Sequence, residues 1–269
     1  MLSAAARARL TVVLAGARNP HNIGAVARAM QDFGFSDLRI ANDFAAPFEA
    51  AQLETSASQT NAAVGAASVM QSARRFDTLA EAISDCALVV GTTAIGGREL
   101  QQAVRPLQQV APTLMAQLNA SELRVALVFG SEKTGLTNDQ LSHCSMLATI
   151  PMFAPEASRH LSMNLGQSVA VCLYELTREG FEGAKELPAL HEAAAASADR
   201  ERLTQLLLDV LQATGYTRRF PANADEAVIR RLVQQLGSSH RESMMWMGIL
   251  RQILWRESQA AGDSPEAKK

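Results

Sequence analysis

Arg28, Glu132 and Asn164 sit in three short segments far apart in the chain: NPHNIGAVAR (19–28), FGSEKTGL (129–136) and LSMNL (161–165). Each segment falls where a strand should give way to a helix, and each carries small or polar residues that a plain structural loop has no need of. In an open parallel sheet the carboxyl ends of the strands share one edge, so segments distant in sequence meet there around one ligand. A guanidinium, a carboxylate and an amide at such an edge can grip and orient a polar ligand, since the first only donates, the second only accepts and the third does both. Taken singly, the spacing from Asn22 to Arg28 needs no more than a helix cap followed by a surface arginine. The three segments together point to one site.

Several familiar chemistries fail on spacing. Gly16 and Gly24 stand eight apart, without the G-x-G-x-x-G spacing of a dinucleotide fingerprint. The stretch from Gly130 to Thr137 differs from a P-loop at one position: Leu136 replaces the phosphate-binding lysine, and Glu132 would aim negative charge at the phosphates. Ser162 lacks the G-x-S-x-G elbow of a hydrolase nucleophile. His21, His143 and His160 form no helix-spaced pair and Cys86, Cys144 and Cys172 have no zinc-like spacing, so no metal site and no disulfide framework is expected.

The elements that would position such a site belong to a chain of 269 residues, 48% hydrophobic and 19% charged, enough to bury a full core. A net charge of −2 gives no global attraction to nucleic acid or anionic lipid, so an RNA-binding surface would be a local patch. Unpaired thiols fit a cytoplasmic protein. Arg7 and Arg9 precede an apolar run, Leu10 to Ala17, whose Thr-Val-Val-Leu centre suits a buried first strand better than a signal peptide. No stretch is apolar for long enough to span a bilayer, and no membrane partner is expected.

Short β-rich runs at Leu10–Leu14, Leu38–Ala41, Ala87–Thr92, Val125–Phe129 and Leu147–Ile150 alternate with helical patterns, the mark of an α/β fold with a parallel sheet covered on both faces. After the first strand, Asn22 can cap a helix whose stripe is Ile23, Val26, Ala27, Met30 and Phe33, with Gly34 ready to end it and Arg28 off the stripe. Pro106 to Leu118 predicts another helix, Thr137 to Gln140 a capping box, and Asn164 to Arg178 a longer helix. The expected layout is a sheet domain over 1–182, a linker over 183–199, helices alone over 200–258 and a disordered tail over 259–269. Helices are expected at 200–213, 224–236 and 239–257.

The stretch from Arg200 to Ser258 has nine Arg, no Lys and six acidic residues, mildly basic inside an acidic protein. Arg218, Arg219, Arg230 and Arg231 are the candidates for phosphate contacts, against the plainer alternative of a solvated surface with ordinary charge pairs.

The three segments resemble, in order, spacing and placement after strands, the SpoU/TrmH class of SPOUT RNA ribose 2′-O-methyltransferases. NPHNIGAVARAM looks like the first family motif and LVFGSEKTGL like the second. IPM, followed after a short insertion by LSMNLGQSVAV, looks like the third. The match covers about residues 10 to 178. The helical tail, ending in the helix Met247–Leu254, is similar to the C-terminal extension of the TrmJ group, which methylates the ribose at position 32 of the tRNA anticodon loop.

That resemblance implies a trefoil knot in the sheet domain, S-adenosylmethionine as cofactor, an RNA substrate and a homodimer whose second subunit completes the active site. By motif position, Thr92, Thr93, Ala94, Gly130, Ile150, Leu161, Ser162 and Met163 would line the cofactor pocket. Asn22, Arg28, Glu132, Ser162 and Asn164 match the polar catalytic residues, with Glu132 expected to orient Arg28 or a nearby donor. The family casts Arg28 as the base acting on the 2′-hydroxyl. An arginine side chain keeps its proton at neutral pH, so gripping a phosphate and stabilising the developing alkoxide suits it better. Gly166, where many relatives have a small hydroxyl residue, and the lengthened loop Pro155 to His160 depart from the pattern. Ribosomal RNA as the target, and an RNA-binding module without transfer, are the competing expectations.

Overall fold

The structure, a computed structural model, describes residues 2–41, 46–57, 61–94, 100, 102–120, 122–153, 162–178, 194–223, 225–236 and 239–262. The chain divides into two compact units, Met1–Ala189 and Leu190–Lys269.

The first unit is built on seven strands: β1 (Leu10–Ala15), β2 (Asp37–Ala41), β3 (Arg74–Phe76), β4 (Cys86–Thr92), β5 (Val104–Pro106), β6 (Arg124–Phe129) and β7 (Met146–Thr149). All pair in parallel, in the order β3-β2-β1-β6-β4-β7-β5. β1 is central, with Leu14 opposite Ile40 on one side and Phe129 on the other. Side chains alternate faces along a strand, and here both faces are covered. Leu10, Val12 and Leu14 enter one core with helices α1 (Ala4–Arg7), α2 (Pro20–Asp32), α3 (Ala46–Ala57), α4 (Asn61–Ser72), α6 (Leu107–Ala120) and α8 (Leu165–Thr177). Val13 and Ala15 enter a second, smaller core with α5 (Leu79–Ala82) and α7 (Asn138–Ser142). That double burial is why β1 reads as an apolar run interrupted only by Thr11, whose Oγ1 donates to the Asp37 carboxylate at 2.6 Å.

The five expected strands are present. The edge strands β3 and β5 add three residues each beyond the expectation, as Arg-Arg-Phe and Val-Arg-Pro. Their chemistry suits edges, where Pro106 needs no ladder donor, and it hides them from a search for apolar runs. Gly34 does end α2, at φ +74°. Cys86, Cys144 and Cys172 are buried free thiols, and burial pushes Cys144 and Cys172 up to about 12.

The second unit holds α9 (Ser197–Ala213), α10 (Tyr216–Arg219), a 3₁₀ turn at Pro221–Asn223, α11 (Glu226–Leu236) and α12 (His240–Gly262). Leu203, Val210, Val233, Met247 and Leu250 form its core. Two expected boundaries shift. The helix expected from 200 begins at Ser197, inside the stretch read as linker, and α12 continues to Gly262 where a disordered tail was expected from 259. Among the described residues no helix is long and apolar enough to cross a membrane.

Candidate functional site at the carboxyl edge of the sheet

β2 and β3 step away on one side of β1 while β6 begins the other side, so the carboxyl ends of β1 and β6 flank a point where strand order reverses. Open α/β sheets take their ligands at such a crevice.

The loop after β1 is shaped by Asn19. Its backbone is extended (φ −97°, ψ 115°), its Oδ1 accepts the His21 N–H at 3.0 Å, and Pro20 opens the helix. The cap is therefore Asn19 and not Asn22 as expected, because an Asn followed by Pro meets both the cap preference and the first-turn preference. Asn22, moved into the first turn, has its amide free for the site.

Glu132, in the loop after β6, accepts three hydrogen bonds from the loop after β1 and the first turn of α2. They come from the Asn22 Nδ2 at 3.0 Å, the Asn19 N–H at 3.2 Å and the Arg18 N–H at 3.3 Å. The Asn22 Oδ1 in turn accepts from the Asn164 Nδ2 at 3.0 Å. The Asn164 Oδ1 caps α8, accepting from the Gly166 N–H at 2.9 Å and the Gln167 N–H at 3.4 Å. Partners 110 and 142 positions apart are thus joined in one chain of bonds. Its direction is set from both ends: a carboxylate can only accept and the first N–H groups of a helix can only donate, so neither amide can be turned over without losing bonds.

Burial pushes the Glu132 carboxyl up, but hydrogen bonds from the Asn22 side chain and nearby backbone N–H groups outweigh it and hold the group below its ordinary value. Glu132 is a carboxylate at neutral pH. Of the two expected roles, it serves the nearby donors and not Arg28.

Arg28 is exposed on the third turn of α2, one turn further in than a cap at Asn22 would have put it, and no hydrogen bond or ion pair ties it to another described residue. Asn22, Ala25 and Arg28 are spaced three apart on α2, so Ala25 neighbours each of the other two on the helix surface. Asn22 meets Asn164, and Ala25, the neighbour of Arg28 on the helix, lies against Gly166.

Of the residues expected to line a cofactor pocket, Thr92 ends β4 with Thr93 and Ala94 just after it, Gly130 follows β6 and Ile150 follows β7. These three strands are adjacent. The Thr92 Oγ1 donates to the Val128 carbonyl at 3.0 Å and the Thr93 N–H to the Ala148 carbonyl at 2.9 Å, stitching the strand ends together. Gly130 has no space for a side chain, because a Cβ there would lie 2.0 Å from the Gly135 carbonyl carbon. The loop folds back on it through the Gly135 N–H to the Ser131 carbonyl at 2.8 Å, with Gly135 at φ +65°. Ile150 and Met163 are half-buried and Ser162 is exposed. Leu161 and the lengthened loop at 155–160 lie outside the described residues.

Sequence reasoning missed the Arg18 and Asn19 backbone donors and the contact of Ala25 with Gly166. The pair Asn19-Pro20 is a signal that could have located the first of these.

In the helical unit, Arg218 and Arg219 are exposed at the end of α10. The Arg219 guanidinium lies 5.5 Å from the Phe220 ring centre, and that ring sits 5.0 Å from Tyr216. Arg231 is half-buried. Arg230 is not a surface residue: it is 5% exposed and paired with Glu201 at 3.0 Å and with Glu226 one helical turn away. It fastens α11 to α9, which corrects its place among the phosphate-contact candidates.

The three sequence motifs, gathered at one sheet edge, lie within the span 9–174 that matches the SpoU rRNA Methylase family model. The chain belongs to the SpoU methylase family. This SpoU chain is 30% identical over 246 residues to the tRNA (cytidine/uridine-2′-O-)-methyltransferase TrmJ of Sodalis glossinidius, covering 91% of each. It is 38% identical over 168 residues to the tRNA (cytidine/uridine/adenosine-2′-O-)-methyltransferase TrmJ of Pseudomonas aeruginosa, covering 62% of this chain and 60% of that one. The crystal structure of TrmJ from Zymomonas mobilis (Z. mobilis ZM4) superposes with a TM-score of 0.68 at 30% identity, over 90% of this chain and 98% of that one. The seven-stranded parallel α/β architecture is thus that of a SpoU methyltransferase. Among the described residues, no group of three or more His, Cys, Asp or Glu is placed to hold a metal ion.

Proposed function

We propose that this chain transfers a methyl group from S-adenosylmethionine to a ribose 2′-hydroxyl in RNA, and that the nucleotide is the cytidine or uridine at position 32 of the tRNA anticodon loop. The observation that carries the reading is the directed chain Glu132–Asn22–Asn164, anchored on the same helix that carries the exposed Arg28. It commits three loops to the orientation of side chains, more than the packing of the sheet demands.

The residues after β4 and β7 and before α8 suit an adenosyl group: half-buried Ile150 and Met163 offer apolar contact, and Thr92 and Thr93 offer polar edges. When bound, the cofactor supplies a sulfonium methyl group for in-line displacement by the 2′-oxygen. Arg28 would grip the phosphate beside that ribose and offset the negative charge that grows on the oxygen as its proton leaves. Asn22 and Asn164, locked by their shared bond, would hold the first loop and the start of α8 in register. Glu132 would act through Asn22, and Ser162 would order the loop before α8. Positioning of this kind carries much of the rate gain in a two-partner transfer.

The tRNA reading is supported by the likeness to the Sodalis TrmJ, which spans 91% of both chains and so reaches into the helical unit. There Arg218, Arg219 and Arg231 would contact phosphates, with Tyr216 and Phe220 offering ring faces to unpaired bases. The domain layout, the trefoil knot, the homodimer that completes the site and a cytoplasmic location belong to the same proposal.

The test is to incubate the protein with S-adenosylmethionine and unmodified RNA, separated into tRNA and ribosomal pools, and to measure 2′-O-methylated nucleosides by mass spectrometry. Methylcytidine or methyluridine in the tRNA pool is expected. Label in ribosomal RNA alone would overturn the target, and none in either pool, with cofactor binding intact, would leave an RNA-binding module.

A further inference from the structure

Gly166 is buried where α8 begins, and a Cβ built on it would lie 2.7 Å from the Ala25 Cβ and 3.4 Å from the Ala25 carbonyl carbon. Non-bonded carbons rest at about 3.5–4.0 Å, so any side chain at 166 would force the α2 and α8 backbones apart by roughly 1 Å. Neither partner can yield by turning a side chain, because one is a methyl group fixed to the helix and the other has no side chain at all. The bond from the Asn164 Nδ2 to the Asn22 Oδ1, at 3.0 Å, lies beside this contact: Asn22 is three residues before Ala25 and Asn164 two before Gly166. A hydrogen bond of that length does not survive a 1 Å separation.

We propose that the Ala25–Gly166 contact is the spacer that sets the α2–α8 distance for the site, so that Gly166 is a positioning residue acting through Asn164 and Asn22. The absence of a side chain at 166 then has a specific purpose: a hydroxyl or methyl there would fit only if position 25 had none. The kinetic part of this proposal rests on the methyltransferase reading; the geometric part does not.

The experiment is a reciprocal exchange. Gly166→Ala should lower kcat for methyl transfer about a hundredfold, the effect of a roughly 1 Å misplacement, with KM for RNA changed less than threefold. Its crystal structure should show the Asn22–Asn164 bond opened. Ala25→Gly combined with Gly166→Ala restores the space and should recover kcat to within fivefold of the parent and close the bond again. In an Asn22→Ala background, Gly166→Ala should have almost no further effect on kcat. An Asn22–Asn164 bond that stays closed in Gly166→Ala, or a folded double variant that recovers neither bond nor rate, would overturn the proposal. If the parent transfers no methyl group to either RNA pool, the functional reading fails while the two crystal structures still decide the spacer.

Discussion

The two edges of the same sheet use charge in opposite ways. At the amino edge, Arg39 is buried with its guanidinium paired to Asp37 at 2.9 Å and to Asp85, while Arg124 and Arg74 close on Asp37 at 2.9 and 3.2 Å. Burial pushes Asp37 and Asp85 up, but bonds from Arg39 outweigh it and hold both below the usual carboxylate range; the same pairing raises Arg39 despite its burial. The charges there are matched within the unit. At the carboxyl edge one carboxylate, Glu132, is matched by the neutral Asn22 amide and two backbone N–H groups, and Arg28 on α2 is left exposed. A matched edge holds strands together, whereas an unmatched cation on a rigid frame is available to an anionic substrate.

The largest effect that would separate the edges is Arg39→Ala. Leaving two carboxylates without their buried partner should cost about 3–5 kcal/mol of unfolding free energy, read from urea unfolding. A loss under 1 kcal/mol would mean that the amino edge is not what holds β2 to its neighbours. Glu132→Gln is the counterpart at the carboxyl edge. Weakening bonds to a charged acceptor should cost roughly 1.5–3 kcal/mol, a tenfold to hundredfold loss, and the loss should appear in kcat with the melting temperature moved by only a few degrees. Asn19→Ala should cost about 1 kcal/mol through the lost cap, measured as a lower melting temperature.

The smallest effect is in pH. Asp37, Asp85 and Glu132 all have folded values below their ordinary 3.8 and 4.5, so their contribution is fully present above those values and is lost as pH falls through the folded ones. Stability should be flat between pH 6 and 8 and fall below about pH 4. Asp37→Asn should make that fall shallower than Glu132→Gln does, because Asp37 holds three arginines. Urea midpoints across the pH range check the order.

The contrast between the edges was only half visible in the sequence. The carboxyl edge was legible because a parallel sheet forces loops after strands to one side, and Glu132 and Asn164 stand in loops whose polarity has no other purpose. The amino edge was not: Arg39 sits inside the run Leu-Arg-Ile-Ala, which reads as a strand, and its partner Asp85 lies 46 positions away. Partnership at that distance follows from strand order, which periodicity does not carry. The same blindness put Arg230 among surface arginines, since its pairing with Glu201 depends on how α11 packs against α9. Asn22 carried two expectations, a helix cap and a polar residue of the site, and the structure replaces the first. Asn19 caps the helix, and Asn22 is free to join Glu132 to Asn164.

Arg28→Ala separates a residue that acts on the RNA from the chain of bonds, Glu132–Asn22–Asn164, that only positions. Methyl transfer to tRNA and S-adenosylmethionine binding would be measured on the same preparation. Losing Arg28 should lower kcat about a hundredfold to a thousandfold, the scale of removing a charge-stabilising donor, with cofactor affinity within about twofold and the melting temperature unchanged. Transfer within a few fold of the parent, or cofactor binding lost together with transfer, would contradict that role.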